Sequence, residues 1–424
     1  MVSLKKTAYQ NYHWVIAAII FMEMIVYGGI VNSFSIYLIP VTEELHISRS
    51  LYSILMMLQS AAATVSTMVS TVMFRRLGYR KSILISSALA AASCFAGAVA
   101  QDAYMFGLGR LLFGISYGVC YTAGAAWIVK AWFHAHHGTV LGAVTMGTGI
   151  GGSVSTIFLM AIIQTMSWRW AFIVSGILQG GVILLCLLLR NTPEEMELKP
   201  YGEDLDHAKT HAKGRHKIIW PGVSVKETQR HPAYWLMAAC IALACVGVTM
   251  ASSVLVPHFQ DNGYSPEEAA RYQSVYMFFL AITKLLCGWV SEKIGGKALA
   301  VICMACAALG LLGLSDLSSP IVAYAAVIAF SVGLTMTSIT IPLLSEAVFG
   351  FQTSTNVVGL LISMGTLAST VSSPISNFCF DAIGSYNPVF RVVAVVELGL
   401  IGLLFAIFWM FGKKEKAYWQ ANPR

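Results

Sequence analysis

Charged residues are scarce in this chain of 424 amino acids. Asp, Glu, Lys and Arg together make up 11% of it, less than half of the roughly 25% found in a soluble domain. Hydrophobic residues reach 57%, and they include ten Trp, 17 Tyr and 21 Phe. This composition excludes an ordinary soluble protein and a disordered chain alike. It predicts a protein whose solvent is a lipid bilayer.

Several site signatures are also missing. The nine Cys residues are odd in number and lie mostly inside apolar runs, so no disulfide or zinc framework is predicted. No Gly-Lys-Ser/Thr phosphate loop occurs, which argues against ATP-driven transport and leaves no cofactor expected. The net charge of +7 does not indicate a nucleic-acid partner, because the basic residues lie between apolar segments instead of sharing one face.

Apolar runs long enough to cross a bilayer recur along the chain. A helix needs about 20 apolar residues to span the hydrocarbon core, and twelve such runs predict an all-α membrane protein with twelve transmembrane helices. The predicted spans cover residues 14–39, 51–74, 82–100, 103–129, 139–166, 170–189, 233–256, 272–291, 298–316, 320–345, 356–380 and 388–412.

The connecting segments carry an asymmetric distribution of Lys and Arg. If both termini lie in the cytoplasm, 21 basic residues fall on the inside, four (Arg49, Arg169, Arg271 and Arg391) fall outside, and two fall within helices. Cytoplasmic loops are enriched in Lys and Arg, so this distribution predicts a multi-pass membrane protein with both termini in the cytoplasm. We expect it in the cell (cytoplasmic) membrane, which is the inner membrane in cells that have two membranes.

One long polar stretch, residues 191–230, separates six spans from six. We therefore expect an N-terminal six-helix bundle at 1–190, a cytoplasmic connector at 191–230 and a C-terminal six-helix bundle at 231–424. Two pseudo-symmetric bundles of this kind are typical of secondary transporters, with a site near the bilayer midplane at the repeat interface. We expect a monomer embedded in lipid.

The turns that follow spans 2 and 8 resemble each other, as FRRLGYRK and GWVSEKIGGK. The second is similar to the gating loop motif of the major facilitator superfamily, which it matches at Gly288, Glu292, Lys293 and Gly295. In the first copy, Arg75 occupies the position of the acidic residue.

Three further segments resemble one group within that superfamily. HPAYW, VPHFQDNGYSPEEAA and AWFHAHHGTVLG are similar to monocarboxylate transporters and oxalate:formate antiporters. The resemblance implies the major facilitator fold and a basic residue in span 8, four positions before the Gly of the loop motif, that holds the substrate carboxylate. That residue is Lys284. Asn32 occupies the span 1 position at which some members of the group have Lys.

Four charged residues fall within predicted spans, and each is a candidate functional residue because an unpaired charge in hydrocarbon is costly. Lys284 could bind a carboxylate or be neutralised by a partner such as Glu23. Arg110 shares a helical face with Tyr117 and Tyr121, and this face could line the cavity or Arg110 could pair with Glu23. Glu23 is the candidate proton carrier, since burial favours the protonated form of a carboxyl group. For the fourth, Glu397, packing or a local hydrogen bond is the expected role.

Two polar clusters remain. Span 11 carries a stripe at helical spacing that includes Thr370 and Ser373; such a stripe could line a pore or allow close helix packing. His134, His136 and His137 could bind a metal ion, but without nearby Cys or carboxylate we expect a solvated loop and no metal.

These observations predict a secondary transporter of small organic anions, most of all monocarboxylates. The anion is expected to be transported together with protons (symport), by alternating access. Organic anion exchange is the alternative, followed by drug export, which the Gly-rich span 5 would suit. No nucleophile and base that could form an enzyme active site are apparent. The predicted substrate site comprises seven residues: Lys284, Arg110, Tyr117, Tyr121, Asn32, Thr370 and Ser373.

Overall fold

The computed structural model describes residues 12–119, 124–133, 137–202, 225–317, 319–337 and 340–421. Within these ranges the chain is helical, without a β-strand; Phe133 and Tyr201 form an isolated bridge. The chain divides into two compact units, Met1–Gly214 and Arg215–Arg424. We call them unit 1 and unit 2.

Unit 1 contains spans 1 to 6. Span 1 begins at Tyr12 and is prolonged beyond Asn32 by a 3₁₀ turn and a short helix that ends at Glu44. The helices of this unit are Tyr12–Asn32, Phe34–Tyr37 and Leu38–Glu44 (span 1), Arg49–Leu77 (span 2), Tyr79–Ala98 (span 3), Ala103–Tyr117 and Ala125–Trp132 (span 4), His137–Thr165 (span 5), Trp168–Cys186 (span 6) and the 3₁₀ turn Pro193–Met196.

Unit 2 contains spans 7 to 12, of which spans 10 and 11 are interrupted. Its helices are Val225–Arg230, Pro232–Ser253 (span 7), Leu255–Asp261, Pro266–Ile294 (span 8), Gly296–Leu314 (span 9), Pro320–Leu334, Thr335–Thr337 and Thr340–Phe349 (span 10), Phe351–Thr370 and Ser372–Ile383 (span 11) and Asn387–Ala421 (span 12).

Ten helices in the described part of the chain are long and apolar enough to cross a membrane. Spans 4 and 11 complete the predicted twelve. The first helix of span 4 has 15 residues, and span 11 carries many Ser and Thr residues, which lower its hydropathy. Large apolar side chains such as Met68 and Ile321 are exposed on the surface, as expected where lipid replaces water.

Local sequence signals set the helix starts. Ser265 accepts a hydrogen bond from the backbone N–H of Glu268, and the Glu268 side chain accepts one from the backbone N–H of Ser265. This capping box, with Pro266 at the first helical position, fixes where span 8 begins. Span 10 begins with the same Ser-Pro pair: the Ser319 side chain accepts from the backbone N–H of Val322, and Pro320 follows at the first helical position. The register of both spans therefore follows from residues at their first turn.

Spans 1 and 5 pack almost backbone to backbone. A Cβ atom at Gly151 would stand 2.0 Å from the carbonyl oxygen of Ile25, so only glycine fits there. The Gly-rich run of span 5 was the sequence feature that would suit a drug exporter. At Gly151 this run allows span 5 to pack closely against span 1.

Candidate substrate and proton site

Lys284 lies within span 8, ten residues before the helix ends at Ile294, or about 15 Å along the helix axis. Its side chain is partly exposed. Among the described residues of unit 2, no carboxylate lies within ion-pairing distance of its ammonium group. A cation of this kind can bind an incoming anion without first giving up an internal one.

Arg110 has a different environment. Its side chain is fully buried in unit 1, between the rings of Phe34 and Phe172, whose centroids lie 4.9 and 4.7 Å from the guanidinium carbon. Phe106 and Phe113 complete the cage at 5.4 and 5.5 Å. Cation–π contacts of this geometry stabilise a desolvated guanidinium group. In this conformation Arg110 is enclosed within its unit and is not exposed to a cavity.

Arg110 and Glu23 do not form an ion pair. None of the three guanidinium nitrogens has a hydrogen-bond partner among the described residues. Glu23 is itself fully buried near the middle of the first helix of span 1. The two charges therefore occupy separate environments in unit 1.

The other predicted site residues of unit 1 are less deeply buried. Asn32 is partly exposed and donates its side-chain N–H to the carbonyl oxygen of Thr148 on span 5, at 3.0 Å. Tyr117 is partly exposed and packs against the hydrophobic core of the unit. Tyr121 lies outside the described residues. Asn32 thus helps to hold spans 1 and 5 together while part of its side chain stays accessible.

In unit 2 the predicted hydroxyl stripe is divided by a break in span 11 at Val371. Thr370 is partly exposed and donates to the backbone carbonyl of Thr366 at 3.0 Å. Ser373, also partly exposed, lies in the first turn of the next segment, and its carbonyl oxygen accepts from Asn377 at 3.0 Å. Accessibility along the stripe therefore decreases across the break, from the exposed Thr366 to the buried Asn377.

Glu397 is 1% exposed on span 12. Its Oε1 lies 2.7 Å from the point where a Cβ at Gly247 would stand, so it occupies a niche that this glycine leaves open on span 7. The expected local hydrogen bond is not seen, because neither carboxyl oxygen has a partner within the described ranges.

The two loop turns have the same backbone conformation. Gly78, after span 2, has φ 81° and ψ 157°, and Gly295, after span 8, has φ 80° and ψ 156°. These positive φ values favour glycine. Gly288 lies inside span 8, Glu292 belongs to its last turn, and the Lys293 ammonium lies 3.6 Å from the ring centroid of Trp289.

The sequence did not reveal how the first turn is held. The side-chain oxygen of Asn191 accepts from the backbone N–H of Arg80 at 2.9 Å, and Glu195 in turn accepts from Asn191 at 2.6 Å. Further along, the carbonyl oxygen of Lys199 lies 2.8 Å from a ring nitrogen of His13. The start of the predicted connector thus packs onto unit 1. Asn191 lies five residues after the end of span 6 at Cys186, and its capping residue type was the one available signal.

The predicted histidine clusters lie largely outside the described residues. His134 and His136 fall in such a gap, and so do the connector histidines His207, His211 and His216, which were likewise expected to be solvated and without metal. In the part of the chain that the structure covers, no group of three or more His, Cys, Asp or Glu side chains has the arrangement of a metal site.

The fold is that of a multi-pass membrane transporter. The structure is similar to that of the nucleoside transporter NupG, with a TM-score of 0.74 and 12% identity, over 94% of this chain and 99% of that one. It is also similar to the xylose transporter XylE from E. coli in a partially occluded inward-open conformation. That match has a TM-score of 0.69 and 13% identity, over 95% and 99% of the two chains.

The chain belongs to the Major Facilitator Superfamily, whose sequence model matches residues 16–344 and, in a second match, 237–424. Among its relatives, human monocarboxylate transporter 12 is 23% identical over 89% of this chain and 77% of its own length. The hexuronate transporter of Escherichia coli K12 is 25% identical over 84% of each. The relatives and structural neighbours are transporters, and this chain is a transporter and not an enzyme.

Proposed function

We propose that this transporter carries small organic anions, most of all monocarboxylates, in symport with protons by alternating access. One observation carries the proposal: Lys284 is a partly exposed cation inside a membrane-spanning helix, without a carboxylate partner among the described residues of its unit. An intramembrane cation in this state favours an anionic ligand. The names of two relatives, monocarboxylate and hexuronate transporter, both denote organic acids that are ionised near neutral pH.

Within this proposal Lys284 binds the carboxylate, and partly exposed polar side chains contact the rest of the substrate. These are Asn32 and Tyr117 in unit 1 and Thr370 and Ser373 in unit 2. Tyr121, which lies outside the described residues, is added because of its sequence spacing from Tyr117. Arg110 acts as a positioning residue: it holds Phe34, and so the end of span 1, through the aromatic cage.

Glu23 is the proposed proton carrier, since it is a fully buried carboxyl group inside a membrane-spanning helix and a carboxyl group can take up and release a proton when water reaches it. The turn with Gly288, Glu292, Lys293 and Gly295 is proposed to act in gating. We also propose that the protein lies in the cell membrane with both termini in the cytoplasm, because of the 21-to-4 distribution of basic residues.

Anion exchange is the second candidate, because a single carboxylate-binding cation would serve an exchanger equally well. Uptake into proteoliposomes distinguishes the two. Symport predicts that an inwardly directed proton gradient drives uptake and that a protonophore abolishes it. Exchange predicts that a preloaded internal acid drives uptake and that a protonophore has no effect.

Replacing Lys284 tests the site. We expect Lys284→Gln to weaken binding of a short monocarboxylate at least about tenfold, since a charge-assisted hydrogen bond contributes about 1.5–3 kcal/mol. Lys284→Arg should retain most of the binding, because it preserves the cation. Equilibrium binding of a radiolabelled acid to the purified protein measures both.

Lys130→Gln is the matched control, because it removes a Lys charge from an exposed side chain in the last turn of Ala125–Trp132, in the other unit. It should bind the acid like the parent. Unchanged binding by Lys284→Gln would refute the assignment of the site. Failure of the parent to bind any short acid, with binding of an uncharged sugar or nucleoside instead, would refute the substrate class.

A further inference from the structure

Two thiols from neighbouring spans meet next to the proposed anion site. Cys287 follows Lys284 by one helical turn on span 8, and Cys303 lies on span 9. Both are buried, at 5% and 0% exposure. Both sulfurs contact one hydroxyl oxygen, that of Thr335 on span 10. They belong to different helices, so their proximity results from the packing of spans 8 and 9.

A third span contributes to this contact. Span 10 is interrupted at Thr335, where the helix changes to a 3₁₀ turn. The Thr335 hydroxyl oxygen lies 3.5 Å from the Cys287 sulfur and 3.4 Å from the Cys303 sulfur. The Thr340 hydroxyl oxygen, after the break, lies 3.6 Å from the Cys303 sulfur. The thiol pair therefore joins spans 8, 9 and 10 at the point where span 10 is not a regular helix.

We infer that Cys287 and Cys303 form an oxidisable dithiol, a modification site at which a two-electron oxidant links span 8 to span 9 by a disulfide. Both sulfurs contact the same hydroxyl oxygen, at 3.5 and 3.4 Å, so they lie at most about 7 Å apart. Movement of the two side chains must then bring the sulfurs to the S–S bond length of about 2.05 Å. Apolar side chains pack around the pair, namely Leu299, Val290, Val332 and Leu343.

Disulfide formation needs a two-electron oxidant, such as hydrogen peroxide or the diazene dicarboxamide diamide. Each thiol loses one hydrogen and one new S–S bond forms. With hydrogen peroxide, the O–O bond breaks and two water molecules result; with the diazene, the N=N bond is reduced to the hydrazine. The orientation proposed above places the junction of spans 8 and 9 on the cytoplasmic side, where the reducing environment keeps the pair as thiols until an oxidant appears.

The disulfide is expected to inhibit transport, and this part of the inference rests on the proposed function. Closure replaces the hydrogen bonds between the two thiols and Thr335 and fixes span 8 to span 9 one turn from Lys284. Span 8, which carries the substrate-binding Lys284, can then no longer move freely relative to span 9. The maximal transport rate should therefore fall, while the affinity for the acid changes little.

Mass spectrometry of the full-length protein tests the linkage. The protein in proteoliposomes is treated with diamide, its remaining thiols are alkylated, and it is digested with trypsin under denaturing conditions. Trypsin cuts at Lys293 and Lys297, between the two cysteines, so a disulfide keeps two peptides joined. We expect the joined pair in the parent, its loss on reduction, and its absence from Cys303→Ser.

Cys306→Ser is the matched control, since Cys306 lies one turn beyond Cys303 on span 9 and is partly exposed. Oxidation of this variant should give the same joined peptides. Failure to detect them in the parent, or a link from Cys287 to Cys306 in place of Cys303, would overturn the inference.

Transport is measured on the same vesicles. Diamide should lower the initial rate of acid uptake at least severalfold in the parent and in Cys306→Ser, with recovery on addition of dithiothreitol, and should leave Cys303→Ser unaffected. Linked peptides with unchanged uptake would refute the inhibitory role. If the parent transports no acid at all, the proposed function is wrong. The peptide analysis would still show whether Cys287 and Cys303 form a disulfide.

Discussion

Arg110 and Lys284 carry the same sequence signal, a basic residue inside an apolar run, yet their surroundings differ. Arg110 is enclosed by four aromatic rings within unit 1. Lys284 is partly exposed and has no described carboxylate partner within unit 2. A buried cation without an anion is stabilised by ring faces, whereas an accessible one can recruit a ligand. Burial, more than residue type, separates a packing role from a binding role.

His258 illustrates how burial controls a titratable group. It lies beyond the last residue of span 7, fully buried. One ring nitrogen lies 2.7 Å from the carbonyl oxygen of Leu314, to which it donates as N–H. Burial lowers the pKa of this imidazole from 6.5 to about 4, because the charged form loses its hydration. The folded protein therefore holds His258 neutral.

The lowered pKa predicts a loss of stability in acid. Above pH 6.5 His258 is neutral in both states and has no effect on folding. As the pH falls from 6.5 towards 4, the unfolded chain takes up a proton that the folded protein does not, so the free energy of unfolding drops by up to about 3 kcal/mol. Thermal unfolding in detergent at pH 7 and pH 5 measures this fall.

His258→Gln should show a smaller decrease over the same pH range, because it cannot take up the proton. An equal decrease in parent and variant would show that other groups cause the acid sensitivity.

At the scale of the helices, glycine positions decide how closely spans approach. Gly151 on span 5 faces the backbone of span 1 so closely that a Cβ would stand 2.0 Å from the Ile25 carbonyl oxygen. Gly142, on the same helix, has no atom within 4 Å of its Cβ position. The same residue type in one run thus has a packing function at one position and none at another.

We expect Gly151→Ala to destabilise unit 1 by about 1–3 kcal/mol, the usual cost of overpacking, because spans 1 and 5 must separate. Gly142→Ala should be neutral or stabilising by up to about 1 kcal/mol, since alanine is the better helix former. Melting temperatures of the two purified variants measure the difference. Equal melting temperatures would mean that the close contact of spans 1 and 5 adds nothing to stability.

The whole molecule shows its internal repeat in the backbone as well as in the sequence. Gly78 and Gly295 end spans 2 and 8 with φ and ψ angles that agree within one degree. The similarity of FRRLGYRK to GWVSEKIGGK therefore reflects a shared turn. What holds this turn differs, because Asn191 binds the first one from outside the motif.

The orientation in the membrane is testable at this scale. Gln101 lies in the turn between spans 3 and 4, which should face outwards, and Arg76 lies at the end of span 2, which should face the cytoplasm; both side chains are exposed. We expect Gln101→Cys to react with a membrane-impermeant maleimide in intact cells. Arg76→Cys should react only after permeabilisation, and the parent protein gives the background.

The opposite labelling pattern would place the termini outside and invert the proposed topology. It would leave the family assignment unaffected, because that rests on the sequence match over most of the chain.

The sequence by itself determined that this protein is helical, spans a membrane and belongs with the secondary transporters. Apolar runs of about 20 residues, glycine at a positive φ and Ser-Pro helix starts are local properties, so they can be recognised without knowledge of the fold. Only the tertiary structure decided that Arg110 is enclosed, that Lys284 remains accessible and that Cys287 meets Cys303. Each of these depends on which helix packs against which, and residues far apart in the chain supply those contacts.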